Sequence, residues 1–485
     1  MMAITIHPDG TAANRRIRRK GTAAQSNTRQ RNGGRTAASV AKGKEIHMAS
    51  ASRSAWRNPS YLQSSFGIFM FFCSWGIWWS FFSRWLLDPE KGLGMTAAEQ
   101  GQIYSINSLA TLIIMFVYGV IQDQLGIKRK LVIVISIIAA LVGPFAQFVY
   151  SPMLTAGGTT RFMGVLLGSV VLSAGFMSGC SLVEALTERY SRKFGFEYGQ
   201  SRAWGSFGYA IVALVAGHTF NINPLINFWI GSACGLGMLL VYLFWVPSEQ
   251  KAELKKEADS TERTNPSLKE MVSVLGMPTL WVLIVFMIFT NTFYTVFDQQ
   301  MFPTYYSSLF PTTEIGDATY GTLNGFQVFL ESAMMGVVPI IMRKIGVRNS
   351  LLLGAFVMCA RIGLCGAFHD PISVSIVKLF HSIEVPLFCL PAFRYFTLHF
   401  DTKLSATLYM VGFQIASQVG QVVLSVPLGA LHDAMGDRPT FFTISAIVLV
   451  ALIYGFFVIK KDDQQVGGDP FYTDKQLKAM EAAKA

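Results

Sequence analysis

Residues 119–131 read GVIQDQLGIKRKL, and residues 339–351 read PIIMRKIGVRNSL. In each, a long apolar run ends, a glycine (Gly126 or Gly346) turns the chain, and a base (Lys128 or Arg348) follows two positions on. Glycine permits the tight turn, and cations after an apolar helix mark the cytoplasmic face of a membrane. The offset of 220 residues is the same for both pairs. A loop repeated in this way points to a duplicated chain whose two halves share one topology.

The stretches around these loops have the length that a bilayer requires. Residues 131–160, 162–183, 203–248, 271–297, 404–431 and 439–459 contain no Asp, Glu, Lys or Arg, and about 20 apolar residues span about 30 Å of hydrocarbon. Residues 203–248 are too long for one span and are interrupted by HTFNINP at 218–224, which predicts a helical hairpin. The count is about twelve helices, six on each side of residues 247–279. The expected fold is all-α and integral to a membrane, with twelve transmembrane helices in two pseudo-symmetric six-helix halves, 59–246 and 280–461.

Composition excludes the main alternatives. Charged residues make up 14% of the 485 and apolar residues 52%, where soluble domains carry about 25% charge. The 38 Phe and 9 Trp argue against a disordered chain, and six Cys are too few for a disulfide scaffold. Those six (Cys73, Cys180, Cys234, Cys359, Cys365, Cys389) fall within predicted helices without metal-type spacing, so they read as packing thiols. The net charge of +11 does not indicate nucleic-acid binding. Residues 1–47 alone hold ten basic side chains against Asp9 and Glu45.

Orientation follows from the remaining cations. The loops after the even-numbered helices hold Lys128–Lys130, Arg189, Arg192, Lys193, Lys251, Lys255, Lys256, Arg263, Lys269, Arg343, Lys344, Arg348, Arg394 and Lys403. The odd-numbered loops hold Lys91, Arg161 and Arg438. Both termini and the 247–279 linker are therefore expected in the cytoplasm and the protein in the plasma membrane. Residues 1–58 are expected to be a disordered basic tail, with Met48 an alternative start, and residues 462–485 a cytoplasmic tail.

Ionisable groups inside the spans are few, and such groups mark a pathway or a pair. Glu184 and Arg202 fall in the first half; Asp298, Glu331, Arg361, Lys378, His381 and Glu384 fall in the second. Spacings of three place Lys378, His381 and Glu384 on one helical face. Read from the residues alone, Glu184 and Arg202 either bind a ligand or neutralise each other, and His381 either titrates or packs. Trp75, Trp78 and Trp79 are expected to pack between helices, and Trp85 to lie in an interfacial belt.

The segments FEYGQSRAWGSFGYA, VFDQQMFP, VKLFHSIEVPL and LSATLYMVGFQIAS resemble the oligosaccharide:proton symporter family of the major facilitator superfamily. The likeness runs from about Pro59 to about Lys461. It implies the major facilitator fold, with Gly119, Asp123, Gly126, Lys128 and Arg129 in a loop that gates the two halves. It further implies sugar binding by Glu184, Arg202, Tyr209 and Glu331, proton coupling by Arg361, His381 and Glu384, and a buried ion pair of Asp298 with Lys378. The coupling ion is the proton; no other cofactor and no metal is implied.

Departures from the lactose-type pattern favour the sucrose-transporting branch. A second intramembrane ion pair is replaced by Thr295 and Ser417, the stacking aromatic is Tyr209, and the helix-eight carboxylate is displaced from Val328 to Glu331. The expected function is a monomeric importer that carries a disaccharide, first sucrose, with a proton by alternating access. Raffinose, fructo-oligosaccharides, galactosides and a non-transporting sugar sensor are the alternatives. An enzyme is not expected, because no nucleophile elbow, metal cluster or Walker loop is present.

Overall fold

Helix starts are written in the sequence as capping residue plus proline. Asn58-Pro59, Asn223-Pro224 and Asp370-Pro371 each open a helix, with the cap's carbonyl or carboxylate oxygen accepting a first-turn amide, as from Ser60 at 3.0 Å, Leu225 at 2.9 Å and Ser373 at 2.8 Å. The cap fills an orphan donor, and proline fixes the first helical φ at a position that needs no N–H. The computed structural model describes residues 56–125, 129–251, 274–400, 408–464 and 466–482. Most of residues 1–58, Gly126, Lys128 and most of the 247–279 linker lie outside the described residues.

Among the described residues, ten helices are long and apolar enough to cross a membrane, eleven if one bent pair counts as a single span, and Tyr198–Ile222, at 25 residues, is long enough without meeting the same apolarity. They are α1 (Pro59–Leu87), α2 (Ala97–Leu125), α3 (Arg129–Ala140 and Val142–Thr155, bent by 48°), α4 (Gly158–Phe194), α5 (Tyr198–Ile222) and α6 (Pro224–Phe244). The second half repeats the series as α7 (Pro278–Ser308), α8 (Thr313–Ile345), α9 (Val347–Ala367), α10 (Pro371–His399), α11 (Met410–Met435) and α12 (Asp437–Val458). The polar first turns of α5, with Gln200, Ser201 and Arg202, make it less apolar than the rest. The hairpin expected at 218–224 is the α5–α6 turn. Phe244 and Phe457 are each 78% exposed, which suits contact with lipid rather than water.

The halves meet along two related seams, α5 against α8 and α2 against α11. Close approach needs glycine there. A Cβ on Gly321 would stand 2.9 Å from the Ala213 carbonyl oxygen, and one on Gly325 2.8 Å from that of Ala210. Any larger residue would wedge the seam apart.

The duplication seen in the loops recurs in their contacts. Arg129 Nε donates to the Tyr242 carbonyl at the end of α6 at 2.8 Å, and Arg348 Nε donates to the Ile459 carbonyl at the end of α12 at 2.8 Å. Beyond Lys461 the chain stays packed on the second half. The Asp462 carboxylate accepts the Val347 and Arg348 amides that begin α9, at 2.7 and 2.9 Å, and Gly468 and Asp469 bond the last carbonyls of α10. A short helix, α13 (Asp474–Ala482), follows.

Candidate sugar and proton site

A cavity of about 310 Å³ lies between the halves. The first half lines it with Phe72, Trp79, Ser80, Arg202, Ser206 and Tyr209; the second contributes Asp298, Asn324, Gln327, Glu331 and His381 among others. Such a placement follows from the fold, since the polar stretches of α5, α7, α8 and α10 avoid lipid by facing one another.

In the first half, Arg202 Nε lies 2.5 Å from Glu184 Oε1, and Arg202 Nη1 is 3.3 Å from Ser206 Oγ. The guanidinium sits over the Phe72 ring at 4.3 Å. Arg202 is thus held in place by a carboxylate, a hydroxyl and an aromatic face, with its edge toward the cavity. Tyr209, two turns along α5, lines the same wall and packs over Gly76, where a Cβ would come within 2.6 Å of the ring.

The second half builds its cluster around Asp298, which sits in a widened π turn of α7, Phe297–Met301; such turns recur at functional sites. Asp298 Oδ1 is 2.9 Å from Lys378 Nζ, 3.0 Å from Arg361 Nη2 and 3.4 Å from His381 Nδ1. Arg361 Nε reaches Glu384 Oε1 at 2.8 Å, an ion contact without the angle of a hydrogen bond, and Glu384 Oε1 is 3.4 Å from His381 Nδ1. His381 Nε2 lies 3.9 Å from Glu331, which accepts a hydrogen bond from Gln327 Nε2 at 3.0 Å. The ion pair and the proton-coupling group, named separately from sequence, share the Asp298 carboxylate.

Three residues beyond those named from sequence belong to this constellation. Tyr294 shares a hydrogen bond with the His381 ring and lies under Arg361 at 5.2 Å. Asn324 and Gln327 line the cavity on α8. Tyr294 is one turn before Asp298 and Gln327 one turn before Glu331, so helical spacing carries the signal. The positions of the missing second ion pair are bridged by Asn291, whose Nδ2 donates to Ser417 Oγ at 3.0 Å while its carbonyl accepts from Thr295 at 2.7 Å. An all-neutral bridge avoids an uncompensated charge.

The tryptophans divide differently from the sequence expectation. Trp78 packs fully buried on Phe228, with ring centroids 5.4 Å apart at 18°, but Trp79 lines the cavity, stacked on Phe82 at 5.5 Å. Trp85 is not in an interfacial belt: it is 3% exposed and packs on Tyr150 and Phe228. Of the loop residues, the Asp123 side chain, Gly126 and Lys128 are outside the described residues, and the Arg129 hydrogen bonds to Tyr242 stay within the first half.

Comparison with known proteins agrees with this layout. Residues 53–468 match the family model of the LacY proton/sugar symporter. The sucrose permease of Escherichia coli is 40% identical over 412 residues, covering 85% of this chain and 96% of that protein. The raffinose permease of Escherichia coli is 32% identical over 408 residues, covering 84% and 94%. Among solved structures, the nucleoside transporter NupG aligns with a TM-score of 0.70 at 14% identity, over 83% of this chain and 99% of that one. The inward-open xylose transporter XylE from E. coli aligns at 0.59 and 12% identity, over 87% and 98%. Those two likenesses concern the fold, whereas the family match and the permease identities concern the lineage. The chain is an all-α membrane transporter, and it belongs to the LacY proton/sugar symporter family.

Proposed function

We propose that this transporter imports sucrose with a proton, binding the sugar between Glu184, Arg202 and Tyr209 of one half and Glu331 of the other. The observation that carries the reading is the shared cavity, where Arg202 on one wall faces Glu331 and His381 on the opposite wall. Its volume of about 310 Å³ is at the lower end of ligand pockets, about 300–1,000 Å³. A guanidinium offers a planar fork of donors to sugar hydroxyls, while carboxylates accept from them. The 40% identity to a sucrose permease, with the neutral Thr295–Asn291–Ser417 bridge, supports sucrose over galactosides.

Charge counting supports one proton per cycle. Arg361 and Lys378 stand among three carboxylates, Asp298, Glu331 and Glu384. With His381 neutral, one added proton makes the buried cluster neutral overall, and neutral clusters cross a low-dielectric barrier far more readily. Glu384, fully buried beside Arg361, carries the proton; Arg361 shifts between Glu384 and Asp298 as that proton comes and goes. A membrane potential contributes about 2.3 kcal/mol per 100 mV. A pH unit adds about 1.4 kcal/mol. These two sources together support accumulation of several hundredfold without ATP.

The transporter works as a monomer in the plasma membrane with both termini cytoplasmic. The test is alkalinisation of the medium when sucrose, raffinose, lactose or maltose is added to cells expressing the chain. Sucrose-driven alkalinisation abolished by a protonophore is expected. A response to lactose alone would overturn the substrate, and sucrose uptake without proton movement would overturn the coupling.

A further inference from the structure

We infer that Arg84 and Asp317 form the bar of an outer gate, a buried ion pair between the halves that must part each time the cavity opens to the exterior. Arg84 lies in the last turns of α1 and Asp317 near the start of α8, so the pair joins opposite halves. Arg84 Nε is 2.8 Å and Nη2 3.2 Å from the two Asp317 carboxylate oxygens, and Arg84 Nη2 is 2.7 Å from Asp88 Oδ2. Arg84 is 4% exposed and Asp317 0%. Asp317 also accepts from Ser307 Oγ at 2.5 Å, and Asp88 is held by the amides of Glu90 and Lys91 at 2.9 and 2.8 Å.

The pair is the middle of three layers. On the cavity side, the Phe81 ring packs edge-on against Tyr320, which lines the cavity, with centroids 5.4 Å apart. On the far side, Lys91 Nζ reaches Glu314 Oε1 at 2.8 Å, and Asn221 donates to the Glu314 carbonyl at 2.7 Å. The other seam is tied at the same end, where the Asp433 carboxylate of α11 accepts the Ala97 and Ala98 amides of α2 at 2.8 Å each.

A buried bidentate pair is stable only when intact, because a lone buried charge is heavily penalised. Once the halves separate at this end, both charges meet water and are solvated again. The half-open arrangement is therefore the costly one, and the pair makes the gate two-state. Neutralising Arg84 strands Asp317 with only the Ser307 hydroxyl in the closed gate, so it shifts the population toward the open one, whereas neutralising Asp317 leaves Arg84 its Asp88 partner and shifts the population less. Neutralising both removes that bias. The placement of this end outside the cell rests on the orientation proposed above; nothing else in the inference depends on the sugar.

The test uses a single reporter, Ser80→Cys at the cavity wall, in the full chain with its six native cysteines replaced by alanine. Labelling of intact cells by a membrane-impermeant maleimide is followed without any sugar, so a wrong substrate leaves the result unaffected. Arg84→Met should raise the labelling rate roughly tenfold or more, and Asp317→Asn, which leaves Arg84 paired with Asp88, should raise it by a smaller factor. Arg84→Lys, which keeps the charge but loses the fork, should raise it by a smaller factor. The double variant Arg84→Met with Asp317→Asn should return to within about twofold of the parent. Parent-like rates in all single variants, a double variant labelled as fast as the singles, or a rise confined to inverted vesicles would overturn the gate.

Discussion

Arg361 and Glu384 face each other at 2.8 Å with neither side chain reached by solvent, and the same guanidinium is 3.0 Å from Asp298. One cation shared by two carboxylates couples them electrostatically, so a change of charge at Glu384 is felt at Asp298. When Glu384 is neutral, Arg361 loses a partner there and retains Asp298.

Glu384→Gln should mimic the protonated form permanently. Uphill sucrose accumulation should fall to the equilibrium level, while sugar counterflow across the membrane persists. Vesicles loaded with sucrose and diluted into labelled sucrose measure the second; energised vesicles measure the first. Accumulation equal to the parent would remove Glu384 from the coupling.

Arg202→Lys keeps a charge on the cavity wall but loses the planar fork that reaches Glu184 and Ser206 and lies over Phe72. Loss of oriented donors should raise the apparent KM for sucrose by roughly tenfold to a hundredfold. Initial uptake rates over a range of sucrose concentrations decide it, with the amount of protein in the membrane unchanged.

Asp298→Asn removes the carboxylate that pairs with Lys378 and helps hold Arg361. Breaking a buried pair on one side costs about 3–5 kcal/mol, so folded protein in the membrane should drop sharply. Adding Lys378→Met should restore much of it, because Arg361 still has Glu384. Thermal unfolding of the detergent-purified variants is the measurement.

Trp78 and Trp79 are neighbours in sequence with opposite expected effects. Trp78→Ala should destabilise by about 3–5 kcal/mol, since it empties a packed core site, and should be seen as lost protein. Trp79→Ala, at the cavity wall, should leave the protein level near normal and weaken sucrose binding, as read from intrinsic fluorescence titration or uptake KM.

The cavity and the charged groups packed behind its lining combine legible and illegible parts. Glu184, Arg202, Asp298, Glu331, Arg361, Lys378, His381 and Glu384 stood out in the sequence because a charge within an apolar span is conspicuous. Tyr294, Asn324 and Gln327 did not, because tyrosine and amides are tolerated in many helices without function. Trp79 could not be separated from Trp78 by composition, as the two point about 100° apart around α1 and only the neighbours of each decide which meets the cavity.

By itself the sequence determined the all-α membrane fold and the identity of the charges withdrawn from lipid. The physical reason is the bilayer, which demands some twenty apolar residues per crossing and penalises every ionised group inside it. Only the tertiary structure decided that Asp298 meets Arg361, Lys378 and His381 at once, that Asn291 donates to Ser417, and that Arg84 meets Asp317 from a distance of 233 residues along the chain. Such meetings depend on how separate helices cross and rotate against one another, and helical spacing within a single span carries no record of that.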